Sequence, residues 1–339
     1  MIDPVRKPNL FFIFVLVFIL CGPVLTEALA RNLILYSGRS KALVQPLIEK
    51  FEQEHGIRVQ VRYGSSTQLA VAMLEEGRRT PADLFWAQDA GALGAVHRGD
   101  MLGPLPLDLL ELVTERFHNE EGTWVATSGR ARVLAYSPAR TAAKTLPVSV
   151  FMLADPEWRG RVGWTPGNAS FQSFLTALRL QTGDDTALAW LAAMRENQAQ
   201  SHINNSSLLQ AIAAGEIDLA LTNHYYLYRF READASFPVE QTWFEAGDPG
   251  NMVNVAGIGV LRTSRNQEKA LAFIRFLLEE QNQEWIAREV YEYPVLPLAE
   301  PPDESRILQD IEALSPAVDL DALSDLDRTL ALLRQAGLL

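Results

Sequence analysis

Leu33-Ile34-Leu35-Tyr36-Ser37-Gly38-Arg39-Ser40 is the stretch from which the fold can be read. Four residues suited to a strand run into a small, polar turn, and an amphipathic segment follows with Leu43, Leu47, Ile48 and Phe51 on one face and Gly56 as its stop. The same unit then recurs. Val59 to Tyr63 alternates as a strand, Gly64-Ser65-Ser66-Thr67 caps a helix through Leu74, Asp83 to Trp86 is a strand, and Ala90 to His97 is a helix. Strands alternating with helices predict an α/β fold with a mostly parallel sheet and helices on both faces. Further along, Val133 to Tyr136, Val162 to Trp164, Glu216 to Leu221 and Ala256 to Val260 read as strands. Phe171 to Leu180, Leu208 to Ala214 and Gln267 to Glu280 read as helices.

The ends and the composition bound the rest. Leu10 to Leu20 is apolar, with Arg6 and Lys7 before it and Ala28-Leu29-Ala30 after it. These are the three parts of a secretory signal peptide, expected to be removed after Ala30, and the apolar run is short of the ~20 residues that span a bilayer. Cys21, the only cysteine, lies in that leader, and Leu20 occupies the position where lipid-anchor signals carry a small residue, so lipidation is not expected. The exported chain therefore has no disulfide, thiolate metal site or cysteine nucleophile, and core burial alone must stabilise it, as two lobes. A formal charge of −12 argues against nucleic acid or an anionic membrane as partner.

Leu219-Ala220-Leu221-Thr222-Asn223-His224-Tyr225-Tyr226 carries the chemistry. Two adjacent phenols at a strand-to-helix junction can both reach one cleft, because the junction breaks the alternation of a strand. Phenol ionises near pH 10 and becomes a good ligand only when a highly charged cation displaces its proton. Hard cations favour oxygen donors, tyrosinate among them for ferric iron. The residues alone leave a second reading open, in which these tyrosines pack a lobe surface. No His-x-x-x-His spacing, Gly-x-Ser-x-Gly elbow or phosphate-cradling glycine loop is present, so no enzymatic site is visible. His224 is expected to point away from the cleft.

Several separated motifs stand in a definite order. Leu35-Tyr36-Ser37-Gly38-Arg39 is followed by Pro81-Ala82-Asp83-Leu84-Phe85-Trp86, by Ser128 to Tyr136, and by Ser170-Phe171-Gln172. Gly215-Glu216-Ile217-Asp218 then runs into Asn223-His224-Tyr225-Tyr226, and Gly247-Asp248-Pro249-Gly250, Asn254 to Gly257 and Glu292-Tyr293-Pro294-Val295 complete the set. Over residues 33 to 298 the chain thereby resembles the periplasmic ferric-ion-binding proteins of ABC transporters. The resemblance implies a type II periplasmic-binding-protein fold, two lobes gripping Fe³⁺ in the cleft between them. The N-terminal lobe would hold 31–126 plus 256–300 and the C-terminal lobe 127–255, hinged near Val125–Ser128 and Val255–Gly259. A helical tail over 301–339 is expected to brace the back of one lobe.

The resemblance also implies a ligand set. Tyr225 and Tyr226 are matched to two iron ligands, and Tyr136 to a third found in one branch, unless it is a core residue at a strand end. Ser40 and Gln88 stand where some relatives place histidine and glutamate ligands, which leaves coordination positions for carbonate or another small anion. Arg39 and Ser37 are expected near that anion; a second anion site is expected where Ser170 opens a helix, and Asn205 and Asn223 match asparagines that hold the anion in the phosphate-using branch. Asn205 and Arg39 also have plainer readings, as a turn residue and a surface ion-pair partner. The expected protein is a periplasmic monomer, not an enzyme, that hands iron to an inner-membrane permease. Thiamine, polyamine or phosphonate on the same fold is the alternative, with Trp86, Trp164 and Asp89 available to cage a cation. A secreted enzyme or sensor domain is a more distant one.

Overall fold

The computed structural model describes residues 32–296 and 313–339; the leader, Cys21 and the first part of the tail lie outside them. β1 (Leu33–Ser37), α1 (Lys41–His55), β2 (Val59–Tyr63), α2 (Ser66–Glu76), β3 (Leu84–Ala87) and α3 (Ala90–Arg98) reproduce the rhythm read from sequence. The four α1 residues expected to face inward are buried, and Gly56 ends the helix at φ 66°. After the short α4 (Leu107–Leu110) comes β4 (Trp124–Tyr136), then β5 (Val162–Trp164), α5 (Ala169–Thr182), α6 (Asp184–Glu196) and β6 (Gln200–Ser201). There follow α7 (Asn205–Ala214), β7 (Leu219–Asn223), α8 (Tyr225–Ala233), β8 (Glu240–Thr242), β9 (Val253–Val260), α9 (Gln267–Leu277), α10 (Glu280–Trp285) and, in the tail, α11 (Leu326–Gln335).

The strands lie in the order β2-β1-β3-β9-β4-β7-β5-β6, with β8 also on β4. The outer strands are parallel in both halves, β1 with β2 and β3, and β5 with β6 and β7. Antiparallel pairing is concentrated where β4 and β9 cross. β4 pairs β9 over Trp124 to Ala131 and β7 over Arg132 to Tyr136, so one 13-residue strand belongs to both halves. A bulge at Thr127 interrupts the β4–β9 register. The Thr127 hydroxyl donates to Ala256 O and accepts from Trp86 Nε1, and its carbonyl accepts from Gln283 Nε2, so the irregular backbone is satisfied.

The tail touches both halves. α11 lies on α5 and α6 through an Arg179–Asp325 ion pair, a Thr176–Thr329 hydroxyl contact of 2.7 Å and an Arg328–Asp184 ion pair. Just before it, Asp321 accepts from Trp124 Nε1 and Ser324 O accepts from Arg98 on α3. The expectation of a brace on one lobe is thus widened: the strap from Asp321 to Gln335 spans the two.

Candidate metal centre

β7 is buried along its whole length, and its last residue, Asn223, opens onto a cleft cavity of about 280 Å³. His224 is already helical (φ −53°), which turns the chain so that Tyr225 and Tyr226, the first residues of α8, both line that cavity. Their rings stack at 4.3 Å and 28°. Burial, then the neighbouring Tyr226, drives the Tyr225 phenol far above its ordinary pKa, so it stays protonated until a cation displaces the proton. Both residues stand in the first turn of α8, the end of a helix that carries its partial positive charge and favours a nearby anion such as a phenolate.

Beside the phenols is a cradle for an anion. Asn168 caps α5, its Oδ1 accepting from Ser170 N at 3.0 Å and Ser170 Oγ at 2.7 Å. Asn205, the first residue of α7, donates to Ser170 Oγ from Nδ2, while its buried Oδ1 has no partner. Arg132 lies behind, Nη1 reaching Ser170 Oγ and Asn223 Oδ1 at 3.3 Å and Nη2 reaching Leu221 O. Its guanidinium sits over Phe171 and Phe174. Burial lowers its pKa to about 9, with the two phenols pulling the other way, so it remains a cation at neutral pH. A buried cation held by neutral acceptors is most stable with an anion beside it. Arg130, two residues away on the same face of β4, lines the cavity and donates to Gln88 O and Val255 O.

From β1–α1 and β3–α3 the facing wall contributes Gly38, Ser40, Gln88 and Asp89. Ser40 and Gln88, the positions expected to leave coordination sites open, thus both line the cavity. Among the described residues, no three His, Cys, Asp or Glu side chains converge as a metal site.

The structure brings together Tyr225, Tyr226, Ser170 and Asn223, with Asn205 one hydrogen bond behind; Tyr136, Arg39 and Ser37 are not brought there. Arg132 faces Asn223 across β4–β7, whereas Tyr136 faces Leu219 four residues on, ~13 Å along the strand and away from the cleft. Arg39 is held by Glu292, whose two carboxylate oxygens accept from Nη1 and Nη2 at 2.9 Å, and Gln88 Oε1 accepts a third bond from Nη1. Both side chains are buried, so this is an internal ion pair, not an anion clamp and not a surface bridge. Burial opposes the Glu292 charge, but Arg39 and Arg130 outweigh it and keep the carboxyl below its usual range. Ser37 is fully buried and folds onto the backbone of Arg39. Trp86 and Trp164 are core residues, which removes the aromatic cage of the organic-cation alternative.

His224 behaves as expected. Nδ1 accepts from Ala131 N, Nε2 donates to Tyr291 O at 2.8 Å, and the ring stacks on Tyr293 at 4.1 Å. Burial lowers its pKa to about 4. The bond to Tyr291 secures a residue at φ 60°, unusual for a bulky side chain.

Comparison with known proteins identifies the family. The family profile of bacterial extracellular solute-binding proteins matches residues 79–321. The chain belongs to this family. It is 31% identical over 91% of its length to an Fe(3+)-binding periplasmic protein of Serratia marcescens, covering 91% of that protein. It is 32% identical to the major ferric iron-binding protein of Neisseria meningitidis serogroup B over 92% of this chain and 95% of the relative. Iron-bound HitA from Pseudomonas aeruginosa superposes with a TM-score of 0.85 at 30% identity, over 90% of this chain and 99% of that one. The two-lobed α/β fold read from sequence is therefore that of its structural neighbours, and the proteins it resembles are binding proteins.

Proposed function

We propose that this protein captures Fe³⁺ outside the cytoplasm and delivers it to an ABC importer in the inner membrane. Tyr225 and Tyr226 bind the ion as phenolates. A small oxyanion, carbonate or phosphate, sits at the start of α5 on Ser170 and Asn223, with Asn205 and Arg132 behind, and fills coordination positions the protein leaves open. The observation that carries this reading is the stacked phenol pair opening on one cavity beside the buried guanidinium of Arg132. The anion is thus assigned to the α5 cradle and not to Arg39.

The lobes, divided near 126/127 and 255/256, close by bending β4 and β9, where the bulge at Thr127 already breaks regular pairing. Closure excludes water and presents the permease with a surface the open form lacks. The protein acts in the periplasm as a monomer, reached through the N-terminal leader. Because phenol protons leave as iron binds, affinity falls as pH drops.

The test is a visible titration of the metal-stripped protein with chelated Fe³⁺, with and without bicarbonate or phosphate. A phenolate-to-iron charge-transfer band is expected that weakens in Tyr225→Phe and Tyr226→Phe and is unchanged in Tyr136→Phe. Absence of a band under every condition would overturn the reading.

A further inference from the structure

In the cavity the second lobe offers phenols and an anion cradle, whereas the first lobe presents the neutral side chains of Ser40 and Gln88. One carboxylate remains in its wall, that of Asp89, the acidic residue among those lining the cavity. We infer that Asp89 is the first lobe's anionic ligand to the captured ion, the group across which the cation draws the two lobes together. This rests on the phenolate reading of Tyr225 and Tyr226.

Three features support it. Asp89 caps α3, Oδ1 accepting from Ala92 N at 3.1 Å, and an ionised carboxylate has about four acceptor sites, so the cap leaves it able to bind a cation. Its position is fixed from behind, because the Leu323 carbonyl of the tail lies where a side chain on Gly91 would stand and Arg98 of α3 holds Ser324 O. The charges also balance: two phenolates and one carboxylate neutralise a trivalent ion, and the anion is left to Arg132.

The cap makes the experiment clean, since asparagine caps a helix about as well as aspartate. Asp89→Asn removes the charge and keeps the cap, while Asp89→Ala removes both. Ferric affinity is measured by competition with citrate, alongside the visible band and the melting temperature of the iron-free protein. The expected result for Asp89→Asn is an unchanged iron-free melting temperature, a band that persists at a moved maximum, and affinity lower by at least about tenfold. Wild-type affinity and an unmoved band in Asp89→Asn would overturn the inference and leave the phenolate reading intact. No band in the unmodified protein would sink that reading first. Should the Asn variant melt early, Asp89→Ser, another capping residue without a carboxylate, separates the same two outcomes.

Discussion

Acid should loosen this protein through His224. The ring is 1% exposed and has both nitrogens committed, Nδ1 as acceptor from Ala131 N and Nε2 as donor to Tyr291 O. A second proton on Nδ1 would confront the Ala131 N–H and lose that bond. The nearby Glu292 favours the proton, but burial, helped by Arg130, prevails and holds the pKa at about 4 against 6.5 in an unfolded chain. The unfolded state therefore takes up the proton first. The contribution is complete above pH 6.5 and is lost as pH falls toward 4, amounting to about 2 kcal/mol at pH 5 and about 3 kcal/mol at pH 4. Urea unfolding of the iron-free protein from pH 7.5 to 4, in parallel with His224→Gln, isolates the effect from other titrating groups. The variant starts less stable because its bonds are poorer, and the gap between the curves should close by these amounts as pH drops. Curves that remain parallel within about 0.5 kcal/mol would refute the assignment of a neutral, doubly bonded His224.

Two further perturbations follow from contacts around the cleft. Glu292→Gln leaves the Arg39 guanidinium buried without its partner and should cost about 3–5 kcal/mol in urea unfolding, with Arg39→Met/Glu292→Leu recovering much of it; a loss below about 1 kcal/mol would show the pair to be dispensable. Gly38→Ala would press a methyl against Ser66 Oγ and bring it 2.9 Å from Ser66 Cα, displacing the hydroxyl that accepts from Gln88 N at 2.7 Å. A loss of about 1–3 kcal/mol and weaker ferric binding are expected, measured by melting and by the visible titration, and no change in either would mean that the loop has room to spare.

The outer strands and their helices were legible because each buries one face or stripe, and α1 shows it in four inward residues at helical spacing. β4 was legible only in pieces. Its middle, Ser128-Gly129-Arg130-Ala131-Arg132, is too polar to read as a strand, yet it is buried, because lobes pack around it and its arginines bond to carbonyls and side chains. Tyr136 was misplaced for the same reason: position on a strand relative to a cleft depends on register, and register is set by pairing with Leu219, which local pattern does not reveal. Arg39 looked like a free anion clamp because Glu292 lies 253 residues away. The tyrosine pair needed no such distant information, since strand, turn and helix start are contiguous.

The two walls of the cleft are unequal, and that inequality bears on how capture could drive closure. The second wall holds the phenols, the α5 cradle and Arg132 within elements that pack on one another, so on the proposed reading it would bind ion and anion before the lobes move. The first wall offers only neutral Ser40 and Gln88 besides Asp89, too little to hold the ion alone. Arg130 joins them: it leaves β4 where that strand crosses between the halves and donates to the carbonyl of Gln88, the residue before Asp89. Bending β4 at the Thr127 bulge therefore moves a cation that is tied to the very segment carrying the first lobe's carboxylate. On the proposed reading, an ion seated on the phenols and on Asp89 would change the electrostatic surroundings that Arg130 now sets for that carboxylate, and such a differential interaction is what a ligand needs to shift the balance between open and closed forms.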